Sequence, residues 1–72
     1  MSKIKLRNRL KVARAENNLT QEELANLVGV TRQTISSIET GQYCPSALLA
    51  FLLADKFEKP VDELFFLEGD IK

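Results

Sequence analysis

Apolar and polar residues alternate in short blocks along this chain, and the blocks have the spacing of helices. Leu6, Leu10 and Ala13 recur at four and three residues, which predicts a first helix over about Leu6 to Asn17, ended by the polar "NNLT". The second helix starts at Thr20, where "TQEE" has the form of a capping box: the Thr20 hydroxyl takes the Glu23 N–H while the Glu23 carboxylate reaches back. Leu24, Ala25 and Val28 form its buried face, and Gly29 stops it in a left-handed conformation. Val30 occupies a tight turn, Thr31 caps a third helix, and Gly41 ends that helix. After the loop "QYCPS", Ser46 caps a fourth helix that runs to about Phe57. "EKP" breaks the chain again, and Pro60 opens a short fifth helix, "VDELFF". The pattern predicts an all-α fold of five helices in one domain, residues 1–72. A variant pairs "KIKL" with "FLEGDIK" as short terminal strands.

The third helix has an unusual polar side. Placing Ile35 and Ile38 inward, at about 100° per residue, turns Gln33, Ser36, Ser37 and Thr40 outward with Arg32 on the flank. Ser and Thr are middling helix formers because their hydroxyls compete for backbone hydrogen bonds. A helix face made only for solubility would carry Glu, Lys and Ala. Amides and hydroxyls are the groups that read base edges: Gln pairs doubly with adenine, and Arg with guanine. The competing reading is a merely solvated polar face.

Two helices joined by a short Gly-containing turn, here "VGVT", form a helix-turn-helix, whose second helix enters the DNA major groove. "LTQEELA", the Gly and Val of the turn, "RQTIS", "IETG", "PS" and "VDELF" follow one another in order. With these motifs the chain resembles the Cro and phage-repressor-like helix-turn-helix family, also called the xenobiotic-response-element family, over about Leu6 to Phe65. The resemblance implies a compact lambda-repressor-like DNA-binding domain with its motif at about residues 20–40. It carries base contact onto Arg32, Gln33 and Ser37, with Ser36 beside them. It carries phosphate contact onto Gln21, at a helix start that favours anions, and Thr31, Gln42 and Tyr43 are further phosphate candidates. It also implies a structural ion pair between Arg14 and Glu39 that ties the first helix to the third.

Composition changes this picture in two places. Formal net charge is zero, yet residues 1–37 carry seven basic and three acidic groups, and residues 38–72 the reverse, three and seven. A basic and an acidic pole follow, so overall neutrality does not argue against a DNA partner. Lys3, Lys5, Arg7, Arg9 and Lys11 have no acidic residue among them, and read either as a phosphate-facing flank or as a solvated helix face with a loose tail. The second place is "ALLAFLLA", Ala47 to Ala54, which is apolar on every side. It is too short for a membrane span. Leu48 and Leu52 share a helical face, and Phe66 and Leu67 add apolar area near the carboxyl end. The simplest account is a homodimer contact made by helices four and five; the alternative is a slightly larger core. A two-fold dimer would set two recognition helices about 34 Å apart on a roughly palindromic site.

The residues for catalysis or metal binding are missing from the sequence. There is no His, and Cys44 alone makes no zinc site or intrachain disulfide. Gly29, Gly41 and Gly69 are isolated, so no phosphate loop exists, and Ser36 and Ser37 have no general base. Asp62 and Glu63 fit the first turn of a helix, where its dipole favours anions. The expectation is a non-enzymatic, cofactor-free, cytoplasmic, nucleoid-associated regulator of prokaryotic or phage type. It would bind double-stranded DNA as a homodimer, repressing by occupying a promoter. The rival is an antitoxin-like or heteromeric protein-interaction module with secondary DNA binding.

Overall fold

The computed structural model describes residues 4–69. The chain order is β1 (Lys5–Asn8), α1 (Leu10–Glu16), α2 (Gln21–Val28), α3 (Arg32–Glu39), α4 (Ala47–Lys56), α5 (Val61–Leu64) and β2 (Phe65–Glu68). The described residues are therefore mostly helical, with five helices closed by a two-stranded antiparallel sheet.

The sheet is the terminal-strand variant of the five-helix expectation, and it shortens the first and fifth helices. Lys5 pairs with Glu68, Leu6 with Leu67, Arg7 with Phe66 and Asn8 with Phe65. The first helix accordingly starts at Leu10, not Leu6, because residues 5–8 find backbone partners on β2. Two further bonds fix the break. The Asn8 Oδ1 accepts the Leu10 N–H at 3.0 Å, and the Arg9 N–H donates to the Leu64 carbonyl at 2.9 Å. The fifth helix likewise ends at Leu64, and the two phenylalanines expected to finish it belong to β2. In the strand they face opposite ways: Phe65 enters the core, and Phe66 packs beneath the Arg9 guanidinium, 4.5 Å from its ring centre. The strand pairing lies within 5–8 and 65–68; Lys3 and Asp70 to Lys72, also in the expected strand segments, lie outside the described residues.

One core unites the elements. Leu10, Leu24, Ile35, Ile38, Leu53 and Leu64 are fully buried, one or two from each helix. Leu49, Ala54, Phe57 and Phe65 close the core on the α4 side, and Leu6, Val28, Val30 and Val61 pack against it partly buried. Burying each large side chain contributes about 1.5–3 kcal/mol.

The helix-turn-helix is held by local chemistry. Glu23 N–H donates to Thr20 Oγ1 at 3.0 Å and Thr20 N–H to Glu23 Oε1 at 2.8 Å, completing the capping box. Gly29 takes φ +77°, a conformation that disfavours any side chain, and lets Val30 N–H reach the Ala25 carbonyl at 3.0 Å. Thr31 Oγ1 then caps α3 by accepting Thr34 N–H at 3.2 Å. At the far end of α3, Gly41 at φ +82° allows Gln42 N–H to bond Ser37 O at 2.9 Å and its own N–H to bond Ile38 O at 3.1 Å, a Schellman closure.

Candidate nucleic-acid interface

The buried side of α3 is fixed by Ile35 and Ile38, so its remaining positions are oriented before any ligand arrives. Arg32 and Gln33 are exposed, and Ser36 and Ser37 are half-buried. Gln33 Nε2 donates to Ser37 Oγ at 3.3 Å, one helical turn along the same face. That bond uses one amide hydrogen and leaves the second N–H and the Gln33 carbonyl oxygen available, the donor and acceptor that adenine requires. Thr40 turns its hydroxyl back onto the Ser36 and Ser37 carbonyls, at 3.1 and 3.2 Å, so it finishes the helix rather than extending its polar face.

The phosphate candidates fall into three situations. Gln42 and Tyr43 are exposed in the loop after α3. The Thr31 hydroxyl is engaged twice, by Thr34 N–H and by the Thr34 hydroxyl 3.0 Å away. Gln21 is half-buried, and its Nε2 donates to Glu39 Oε1 at 3.1 Å. It shares an open cleft with Arg32, Thr20 and Glu22, so the structure brings Gln21 beside one of the base-reading candidates.

Behind that cleft, Arg14 Nε donates to Glu39 Oε2 at 2.7 Å, and Arg14 Nη2 to Glu39 Oε1 at 3.3 Å. Arg14 Nη1 donates to the Leu19 carbonyl at 2.8 Å. The side chains of the pair are 16% and 6% exposed. One carboxylate thus gathers α1 through Arg14 and α2 through Gln21 onto the end of α3. The Gln21 contact was not visible in the sequence, because no pattern rule links a first-turn Gln to a Glu eighteen residues on.

The apolar residues assigned to a dimer contact separate. Leu48 and Leu52 are exposed on α4, and Leu67 is exposed on β2, but Phe66 is half-covered by Arg9. Sequence reasoning missed Phe51, which is 61% exposed and sits three residues from Leu48 and one from Leu52 on the outer side of α4. Its helical spacing from Leu48 was the available signal. Among the described residues no cluster of side chains suits a metal ion, and no helix is long and apolar enough to cross a membrane.

A scaffold that caps and locks two helices across a Gly turn, with an amide and hydroxyl face on the second, defines a helix-turn-helix DNA-binding domain. The helix-turn-helix family model matches residues 10–64. An uncharacterised HTH-type transcriptional regulator of Methanocaldococcus jannaschii is 49% identical over 65 residues, spanning 90% of this chain and 98% of the relative. The HTH-type regulator YgzD of Bacillus subtilis is 43% identical over 65 residues, spanning 90% and 98%. Among solved structures, the restriction-modification controller protein C.AhdI from Aeromonas hydrophila aligns with a TM-score of 0.71 at 33% identity, covering 76% of this chain and 80% of its own. The chain belongs to the Cro/C1-type helix-turn-helix family of DNA-binding transcriptional regulators.

Proposed function

We propose that this protein is a homodimeric repressor that reads a roughly palindromic operator by placing α3 in the major groove. The observation that carries the reading is the row of Arg32, Gln33, Ser36 and Ser37 on a helix whose opposite side is wholly buried. Gln33 takes adenine, Arg32 takes guanine, and the short serines let the backbone of α3 approach the groove floor. Gln21, Gln42 and Tyr43 hold phosphates on either side, with Thr31 contributing its position at the start of α3. Arg14 and Glu39 act structurally, keeping α1, α2 and α3 in one orientation. The protein works in the cytoplasm, at the DNA, with no cofactor.

The second copy docks on α4. Leu48, Phe51 and Leu52 are 71%, 61% and 37% exposed, an apolar patch on the order of a few hundred Å², the size at which such patches are functional. A two-fold pairing of this patch presents the same residues from both chains and sets two α3 helices one DNA turn apart. C.AhdI, a controller protein, supports a regulatory role. The same patch equally suits a different protein, which is the alternative reading, an antitoxin-like or heteromeric module.

The test is selection of a randomised duplex library by the pure protein at near-physiological salt, followed by sequencing. The reading expects an enriched palindrome with half-sites about one helical turn apart. Weak, salt-sensitive binding with no enriched sequence overturns it and moves attention to a protein partner on α4.

A further inference from the structure

The basic run at the amino terminus is sorted by the fold. Arg7 is ion-paired with Glu68 across the sheet, and Arg9 lies over the Phe66 ring. Lys5 also stands opposite Glu68 in register, but that carboxylate is already engaged by Arg7, and Lys5 makes no ion pair among the described residues.

Lys5 borders an open groove of about 560 Å³ between β1 and the end of α3 with its following loop. Gly41 and Tyr43 line the other wall. Tyr43 is exposed and is already a phosphate candidate of the DNA-reading surface. Glu39, the carboxylate residue among the lining, is neutralised by Arg14. The two walls are pinned together: Asn8 Nδ2 donates to the Ile38 carbonyl at 2.9 Å while its Oδ1 accepts the Leu10 N–H. Lys5 is therefore held at a fixed place relative to the recognition helix, although it is far from it in sequence.

We infer that Lys5 seats a backbone phosphate of duplex DNA in this groove, just outside the base pairs that α3 reads. The terminal ribbon is then part of the DNA-binding surface and not only a clasp for the chain ends. Lys5 and Tyr43 border one open groove whose acidic lining residue, Glu39, is already paired with Arg14, and Lys5 has no ion pair among the described residues, a setting that suits a polyanion strand passing along the groove. The inference rests on the DNA-reading function proposed above and adds a contact to it. That contact carries no sequence information, because phosphate contacts position and do not specify.

The experiment measures binding of the full chain to its selected duplex over a range of salt concentrations, with phosphate-ethylation interference on the same duplex. The native protein is compared with Lys5→Gln and Lys5→Arg. Lys5→Gln is expected to lower the slope of log affinity against log salt by about 0.9 for each bound protomer, the signature of one phosphate. It should weaken binding roughly five-fold per protomer at 0.15 M salt. It should abolish interference at one phosphate flanking each half-site and leave the selected sequence unchanged. Lys5→Arg should restore slope and interference. If the native chain binds its site and Lys5→Gln changes neither slope nor interference, the inference is overturned while the DNA-reading function stands. A shift in the selected sequence also overturns it, since Lys5 would then be acting on bases or on the fold. A native chain that binds no duplex overturns both.

Discussion

The Arg14–Glu39 pair allows a quantitative test of what holds the reading helix in place. Glu39→Ala removes the acceptor of three hydrogen bonds, two from Arg14 and one from Gln21. The Arg14 guanidinium keeps only its bond to the Leu19 carbonyl, with a side chain 16% exposed. Breaking a fully buried pair by removing one partner costs about 3–5 kcal/mol. Arg14 borders the open cleft beside Gln21, so water recovers part of this, and the expected loss is about 2–3 kcal/mol. For a domain of this size that is a fall in Tm of about 10–20 °C. The internal control is Glu68→Ala, which breaks the Arg7 pair, whose side chains are 56% and 59% exposed. Exposed pairs contribute about 0.2–1 kcal/mol, so the control should move Tm by only a few degrees. Replacing both partners, Arg14→Met with Glu39→Met, should recover most of the loss, because no charge is then left buried without a partner. The assay is thermal and urea unfolding followed by far-UV circular dichroism, with unchanged urea slopes as the check that only stability moved. Equal losses for Glu39→Ala and Glu68→Ala would refute the reasoning.

Three further outcomes follow from the same geometry. Gln33→Ala should weaken the selected site by about 1–3 kcal/mol while barely affecting random DNA in a competition titration; equal loss on both would move Gln33 to the backbone. Phe51→Glu should convert the proposed dimer to a folded monomer in light scattering, with a Tm that no longer rises with protein concentration, whereas an unchanged dimer would remove α4 from the interface. Thr20→Ala should cost about 1 kcal/mol by ending the capping box, read from a urea melt; no loss would mean that the hydroxyl contributes nothing beyond the Glu23 arm.

What could be read from the sequence was local. Thr20, Thr31 and Ser46 were recognisable as caps because a cap is decided by a side chain and a backbone group within a few residues. Gly29 was legible for the same reason, since the turn between α2 and α3 needs a positive φ. The ends of the chain were not legible to the same degree. Leu6 and Leu10 are four apart, a spacing that fits one helix face and equally fits a strand residue followed by a helix start. Only the partner strand, about sixty residues on, decides between them. The "FF" after Leu64 reads as more helix until the sheet sends one ring inward and the other under Arg9. In "ALLAFLLA" every position is apolar, so periodicity has no contrast to work with. Packing of Leu49, Leu53 and Ala54 into the core leaves Phe51 outside with Leu48 and Leu52. The basic residues were visible as a group, but their division into Arg7 held by Glu68, Arg9 held by Phe66 and a Lys5 with no ion pair among the described residues is a property of the sheet.

The central claim is that α3 enters the major groove, and guanine methylation interference on the selected duplex tests it most directly. Methylation at guanine N7 blocks the major-groove edge and leaves the minor groove and the phosphates intact. The account predicts loss of binding when guanines inside each half-site are methylated, with Arg32→Ala removing the effect at one of them. Full binding to a duplex methylated throughout both half-sites would contradict it.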